Sequence, residues 1–547
     1  MTVALEIFVE DIKYFEDILP DSWMPPGSGS RLPEVERLKR FSQTGLSFRT
    51  ADGAALPVSV RAFEPRLRVD RASPNAGMID PLTGRTVPKP PEDPRVAYAE
   101  LFYGFQDQKP ERLEISSPTD SDGQPVATVG MIVFDRDVAV TDFRFLSKVA
   151  RLSLNWDDPW YSKFDNPNLR RHHRYPVMSY IYAEPYEIRH EAVMRVRDAA
   201  LLTGTELEGD ILSTGDRNAI TQALPDLLND SSPMTVNGKP VQPEFSRMSF
   251  LKVSASGLVF LEKDEAVRTD AAIVGLIFSV PTASLANSAT VTWTLFTDTI
   301  QKIPAQTIDA AGPFITELTP EEPLLEWVNY FTDHNPPAIA PVVFGEERLV
   351  DVPMATLLMI PLSLAAAFVL FQLNTICRPA RLVTLAALVL ITGLSTRIGW
   401  VTMVNPIAGA PDETSAERIT GQLVQNVYKA LPERIPENLN AALSTSISSG
   451  SFVEVKQELD RALVVKMQGG GAGIVKEVQN LTVASVRQIS DDGGFQTSVS
   501  WRATVHGDHW GHPHRKVILF SALMDVGPVD NAWKITGLTV TSARPEN

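Results

Sequence analysis

Two long apolar segments constrain this chain more than anything else in it. Val352–Leu373 (VPMATLLMIPLSLAAAFVLFQL) has no charged residue in 22 positions, and Leu382–Val404 (LVTLAALVLITGLSTRIGWVTMV) has only Arg397 in 23. A helix rises about 1.5 Å per residue, so roughly 20 such residues cross the ~30 Å hydrocarbon layer of a bilayer. The spacing predicts two transmembrane helices, 352–373 and 382–404, joined into a hairpin by the short link Asn374–Arg381. Pro361 is expected to kink the first span, which membrane helices tolerate. Arg397 reads as a helix-end arginine beside an interfacial Trp400, the alternative being a polar contact within the membrane.

The link carries Arg378 and Arg381 and no acid, whereas Glu346, Glu347, Arg348 and Asp351 precede the first span and Asp412 and Glu413 follow the second. The positive-inside rule therefore places the link in the cytoplasm and both soluble portions outside the inner membrane, in the periplasm of a diderm bacterium. Met1–Pro20, with Glu6, Glu10 and Asp11, lacks a basic start, an apolar run and a small-residue cleavage site. It reads either as a cytoplasmic segment or as the start left after removal of a leader, and the charge rule is given precedence.

At 547 residues the chain exceeds one ordinary core, so several domains are expected. With a net charge of −16 and no basic run longer than Arg170–Arg174, nucleic acid is set aside as a partner. The lone Cys377 excludes an intrachain disulfide, a thiolate zinc site or a CxxC pair.

The portion before the hairpin reads as mainly β. Leu56–Phe63, Val96–Phe105, Val126–Phe134, Val253–Phe260, Ala271–Val280 and Ala289–Phe296 are rich in β-branched and aromatic residues and are bounded by Pro, Gly, Asp and Ser. Pro26–Ser30 and residues 88–94 read as exposed loops. Two sandwich-like domains are expected, 1–197 and 198–345, with helices at Asp198–Leu202 and Arg217–Leu228 near the break. After the hairpin, Glu413–Leu431 shows Ile419, Leu423, Val427 and Leu431 at helical spacing, ended by Pro432, and a second helical stretch follows at Val453–Leu463. Strands are expected at Val475–Val486, Phe495–Val505, Val517–Val526 and Trp533–Val540. Helices followed by an antiparallel meander resemble the NTF2-like cone over 412–547, a fold that hosts enzymes, pockets and assembly modules alike.

Two stretches carry candidate chemistry. Four of the eight histidines, His506, His509, His512 and His514, fall within nine residues, and imidazoles suit Zn, Cu or Ni. The competing expectation is a polar hairpin turn with imidazoles stacked on Trp510, and no cofactor. The second stretch, Asn155–Pro176 (NWDDPWYSKFDNPNLRRHHRYP), interleaves aromatics with arginines. Trp156, Trp160, Tyr161, Arg170, Arg171 and Tyr175 are residue types that anchor protein interfaces, through a protein partner or a second copy of the chain. The competing expectation is a loop that folds its aromatics inward and pairs its aspartates with the arginines.

Together with YAEPYEIRHE, WTLFTDTIQKIPAQTIDAAGP and HWGHPHRK, that stretch resembles uncharacterised bacterial membrane-anchored proteins with a β-rich outer portion, a two-span hairpin and a small C-terminal domain. The resemblance implies no activity and no catalytic residue. Enzyme signatures fail. His190-Glu191 is followed by Met194 where a zincin needs a second histidine, Gly469–Gly473 lacks the Gly-Lys-Ser/Thr ending of a phosphate loop, and Gly27–Ser30 lacks the final glycine of a nucleophile elbow. The expectation is a multidomain, non-catalytic membrane-anchored accessory or scaffold subunit. Its rivals are a metal-handling protein using the histidine cluster and an enzyme or ligand binder with a pocket in the C-terminal cone.

Overall fold

The computed structural model describes the chain except residues 25–30, 70–78, 80–85, 87, 88, 90, 107, 147, 148, 172, 255, 256, 332–337, 346, 347, 373–377, 406–408, 465–472 and 547, and the side chains of 257 and 512–514. The expected loop Pro26–Ser30, most of the hairpin link, nearly all of Gly469–Gly473 and the imidazoles of His512 and His514 thus lie outside the described residues. The chain is a large mixed α/β protein with several separate sheets. It divides into two compact units: Met1–Val280 with Leu285–Tyr330 and His509–Gly511, and Pro281–Ser284 with Phe331–Asp508 and His512–Asn547.

The first unit has two hydrophobic cores. One gathers Ile7, Phe41, Phe48, Leu101, Tyr103 and Phe164. Here Arg95–Tyr103 (RVAYAELFY) alternates from Ala97 onward, burying Ala97, Ala99, Leu101 and Tyr103 while Tyr98, Glu100 and Phe102 are only half-buried, and Val96 is buried as well. It pairs antiparallel with Thr2–Phe8 and Val58–Leu67. A four-stranded sheet built on Arg112–Ser116 and Ala150–Ser153 contributes to the same core. Val126–Phe134, expected as one strand, is extended only at Val129–Met131 and Phe134–Asp135. Val129–Met131 pairs with Arg144–Leu146, and Phe143 packs on Gly130, where a Cβ would come within 2.4 Å of its ring.

The other core surrounds a seven-stranded sheet in the order Gly257–Phe260, Glu244–Ser254, Ile273–Pro281, Glu187–Arg195, Val177–Glu184, Ile303–Asp309, Gly312–Leu318. Within it Val177–Glu184 pairs parallel with Ile303–Asp309. The two central strands are buried along nearly their whole length, so both faces of the sheet are covered. The helices Val196–Thr203 and Thr214–Ser231 occur near the expected positions. A capping box starts the second: Ser213 accepts from the Asp216 amide at 3.0 Å, and Asp216 accepts from the Ser213 amide at 2.9 Å. The 197/198 division expected from sequence falls inside the first of these helices, and the seven-stranded sheet draws strands from both sides of it.

In the second unit Glu413–Ala430 is helical, started by Asp412 accepting from the Ser415 amide at 2.8 Å. Ala416, Ile419, Leu423 and Val427 form its buried stripe. Phe452–Glu458 continues into a π-turn at Leu459–Leu463. The expected strands are present but longer: Ile474–Gln488, Phe495–His509, His512–Val529 and Ala532–Pro545. Register shifts at Gln479/Thr482, Val483/Ser485, Ser521/Ala522 and Asp525/Val526 are bulges, which add twist and curl this sheet into a half-barrel. Trp501, Trp533, Phe495 and Phe520 fill its concave side, and the Trp501 indole donates to the Tyr428 hydroxyl of the long helix at 3.0 Å.

The hairpin helices are Met354–Gln372 and Arg378–Ser395. The second span is therefore corrected: helix does not run to Val404. Gly399 adopts φ +73°, and Trp400–Val404, rich in β-branched residues, is a strand paired antiparallel with Leu349–Pro353. A short two-stranded ribbon thus closes the base of the hairpin.

Candidate functional site

Both hairpin helices are long and apolar enough to cross a membrane, which suggests a membrane location; the side is not fixed by this. Their outward side chains have nothing packed on them: Leu358 is 66% exposed, Phe371 80% and Val389 74%. Where the helices meet, the contacts are small and polar. Ser363 Oγ lies 2.8 Å from Thr392 Oγ1 and Ser395 Oγ lies 3.2 Å from Thr356 Oγ1; in the turn beyond the second helix a Cβ on Gly399 would lie 2.5 Å from that of Ala355. Small residues that let backbones approach, with hydroxyls bonded across the seam, are how helices associate where no hydrophobic force acts between them. Thr392 and Ser395 also donate within their helix, to the Leu388 and Thr392 carbonyls at 2.8 and 2.6 Å.

The aromatic–arginine stretch separates into two sets. Trp160 and Arg171 turn inward, 7% exposed each. The Trp160 indole donates to the Asp270 carbonyl at 2.7 Å, and the guanidinium of Arg171 stacks 4.5 Å above its ring while donating to the Ala139 and Trp160 carbonyls. Burial, and then the nearby Arg195 cation, pulls the Arg171 pKa down to about 10. These two residues hold the loop in place. Trp156 and Tyr161 face solvent, at 37% and 61%, and Arg170 is exposed beside them in sequence. Tyr175 is half-buried under the Arg174 guanidinium.

The histidine cluster is a tight hairpin. Phe495–His509 buries its odd-numbered residues, which puts His509 on the inner face and His506 on the other. Those two imidazoles therefore do not converge on one ion. Burial, and then the Arg515 and Lys476 cations, lowers the His506 pKa, with Asp508 acting in the other sense. His509 lies edge-on to Trp510 at 4.7 Å and against Phe260 at 5.9 Å. Among the described residues, no three His, Cys, Asp or Glu side chains gather as a metal set.

A polar cluster that sequence reasoning missed lies in the first unit. Along Glu187–Arg195 the alternation places Glu187, Arg189 and Glu191 on one face, opposite Glu184, Tyr182 and Tyr180 of the neighbouring strand. Glu191 is fully buried. Its Oε2 accepts from the Trp510 amide at 2.6 Å, and Oε1 lies 3.4 Å from Arg189 Nε. Desolvation outweighs both and pushes its pKa up to about 7. Burial lowers the Arg189 pKa, but Glu184, Glu191 and Glu187 together outweigh it, so the guanidinium stays charged.

The Tyr182 hydroxyl accepts from the Gly511 amide at 2.8 Å, so both amides of the Trp510-Gly511 turn are captured. That compensates for Trp510 at φ +48°, a conformation unfavourable for a bulky residue. Gly511 is required: φ is +77°, and a Cβ would lie 2.9 Å from the Tyr180 ring. On the opposite face His190 Nε2 meets Ser179 Oγ at 3.1 Å, stacked on Phe278, and burial lowers its pKa to about 4. The Ser–His pair is sealed from solvent, both residues being at most 1% exposed, so it serves packing rather than nucleophilic attack. The visible signal was Glu187, Arg189 and Glu191 at alternate positions in the otherwise strand-like EIRHEAVMR.

Two cavities stand out among the described residues. One of about 10 Å³ beside Asp142, Trp160, Arg171 and His173 has room for one water. A cleft of about 310 Å³ runs between Asp17–Asp21, Glu34, Arg37 and Val60–Phe63. Arg37 there is already engaged by the Leu32, Asp17 and Leu19 carbonyls.

No protein-family model matches this sequence, and no curated protein matches it. Among solved structures the chain is similar to the intermembrane space region of the chloroplast protein ARC6, at 16% identity over 24% of this chain and 96% of that chain. The TM-score is 0.18, and at that level the likeness carries no argument about function.

Proposed function

We propose that this chain is a membrane-anchored, non-catalytic accessory or scaffold subunit, held in the inner membrane by the 354–395 hairpin with its soluble portions on the outer face. The observation that carries the reading is the hairpin itself: an uncovered apolar exterior around a seam of Ser363, Thr392, Thr356 and Ser395. In water that exterior costs about 25 cal/mol per Å², whereas lipid removes the cost and gives the inner hydroxyls reason to pair with each other. The charge pattern, with Arg378 and Arg381 at the tip and acids beyond the base, supports the orientation. The second unit's helices and curled sheet are read as an NTF2-like cone, and the first unit as sandwich-like β domains. Tyr161, Arg170 and the exposed edge of Trp156, whose indole N–H is donated to the Pro110 carbonyl at 3.0 Å, are read as surface for a protein partner.

The test is sedimentation of the chain extracted from its native membrane in mild detergent, compared with a form in which residues 354–395 are replaced by a short linker. A subunit should migrate as a complex well above monomer mass when anchored, and the linker form should be soluble. A monomer under all extraction conditions contradicts the scaffold role. A linker form that stays in the membrane contradicts the anchor.

A further inference from the structure

We propose that the ribbon at the base of the hairpin is itself a lipid-binding element, lying in the headgroup layer with one face on the acyl boundary. This rests on the hairpin crossing a membrane and says what happens where it emerges. The register pairs Val352 with Val401 and Val350 with Met403, and directly opposed residues share a face of a sheet. One face of the ribbon is thus Val350, Val352, Val401 and Met403, wholly aliphatic. Val350, Val401 and Met403 are 38%, 49% and 45% exposed. The other face has Asp351 at its centre, accepting a hydrogen bond from Thr402 Oγ1 at 2.5 Å, with Leu349 and Val404 on one side of that pair and Pro353 and Trp400 on the helix side. An aspartate in mid-face cannot lie against acyl chains, so the ribbon has one lipid side and one water side.

Continuity with the two helices identifies the occupant as phospholipid. Helices of 19 and 18 residues span about 27–28 Å, close to the hydrocarbon thickness, so the ribbon begins where the hydrocarbon ends. Its edges argue against a deeper position. Two strands alone leave outward backbone N–H and C=O groups unpaired, and such open edges do not occur in hydrocarbon but are satisfied by water among headgroups. Two side chains at the junction fit that layer. Trp400 is 53% exposed, with its indole N–H already donated to the Thr396 carbonyl at 2.9 Å. Exposed Arg397, two residues beyond the helix, presents a cation at the level of lipid phosphates.

The experiment uses the full chain with Cys377→Ser and single cysteines at Val401, Met403, Thr402 or Ala386, each labelled with an environment-sensitive fluorophore. The protein is reconstituted in phosphatidylcholine–phosphatidylglycerol vesicles containing nitroxide lipids. Ala386, in mid-span, reports on the membrane reading and should be quenched by a mid-chain nitroxide. Val401 and Met403 should be quenched at least threefold more strongly by a headgroup-level nitroxide than by the mid-chain one. Thr402 should be quenched by aqueous iodide at least threefold more than Val401. If Val401 and Met403 behave like Thr402 while Ala386 is in lipid, the ribbon inference fails. Stronger mid-chain than headgroup quenching at Val401 and Met403 overturns it as well. If Ala386 is quenched by iodide, the hairpin does not cross the bilayer and the underlying reading fails.

Discussion

Replacing Glu191 with glutamine should stabilise the protein at alkaline pH and remove that gain in acid. Glutamine keeps the oxygen that accepts from the Trp510 amide and mimics the neutral carboxyl. The native carboxyl has its pKa raised from 4.5 to about 7 by burial. The folded state therefore binds a proton that the unfolded chain has released between those values, and stability falls as pH rises through that window. At pH 8 the accumulated cost is about 3 kcal/mol, from roughly 1.4 kcal/mol per pKa unit. For a unit of roughly 330 residues this corresponds to a Tm gain of about 4 °C.

His190 works in the other sense. Its pKa is lowered to about 4, so the fold loses stability as pH drops below the ordinary histidine value of 6.5. Between about pH 4.5 and 6.5 the two contributions offset each other, and the native protein should melt at a nearly constant temperature as far as this pair is concerned. The glutamine variant should lose stability steadily across that range. The assay is thermal unfolding of the detergent-solubilised chain and its Glu191→Gln form from pH 4.5 to 8. Equal melting at pH 8, or a less stable variant there, would show that the carboxylate is ionised and held by Arg189, refuting the desolvation argument.

Other outcomes follow from the placement of the candidate residues. Trp160→Ala should lower stability by about 3–5 kcal/mol, as for a buried aromatic in a packed core, while Tyr161→Ala should change it by less than about 0.5 kcal/mol; paired melts check both. Adding EDTA should shift the Tm of the full chain by less than about 1 °C, since His506 and His509 face apart and the second unit has its own aromatic core. A large drop would mean that metal binding is part of its folding free energy.

The hairpin and the strands of the second unit were legible because their patterns are local. Charge-free runs and alternating apolar residues declare themselves within 20 positions. The end of the second span was not legible, since a turn at Gly399 and a strand partner some 50 residues earlier decide it, while WVTMV is as apolar as a helix continuation. The role of Trp160 and Arg171 was also hidden: composition cannot distinguish an exposed aromatic–arginine pair from one whose indole N–H and guanidinium are used up on Asp270 and Ala139 carbonyls. Glu191 and Trp510 lie 319 residues apart, and a charged strand residue ordinarily reads as solvent-facing. Only the tertiary contact shows that it points inward.

The most direct test of the membrane account uses the native Cys377, the protein's one thiol, which lies between the two hydrophobic helices in sequence. An impermeant maleimide is applied to intact spheroplasts and, separately, to inside-out vesicles. The account predicts labelling only in the inverted vesicles, with protease added to spheroplasts cutting the soluble portions. Efficient labelling of Cys377 from outside the spheroplasts would contradict the orientation, and recovery of the intact chain in the soluble fraction without detergent would contradict the hairpin as an anchor.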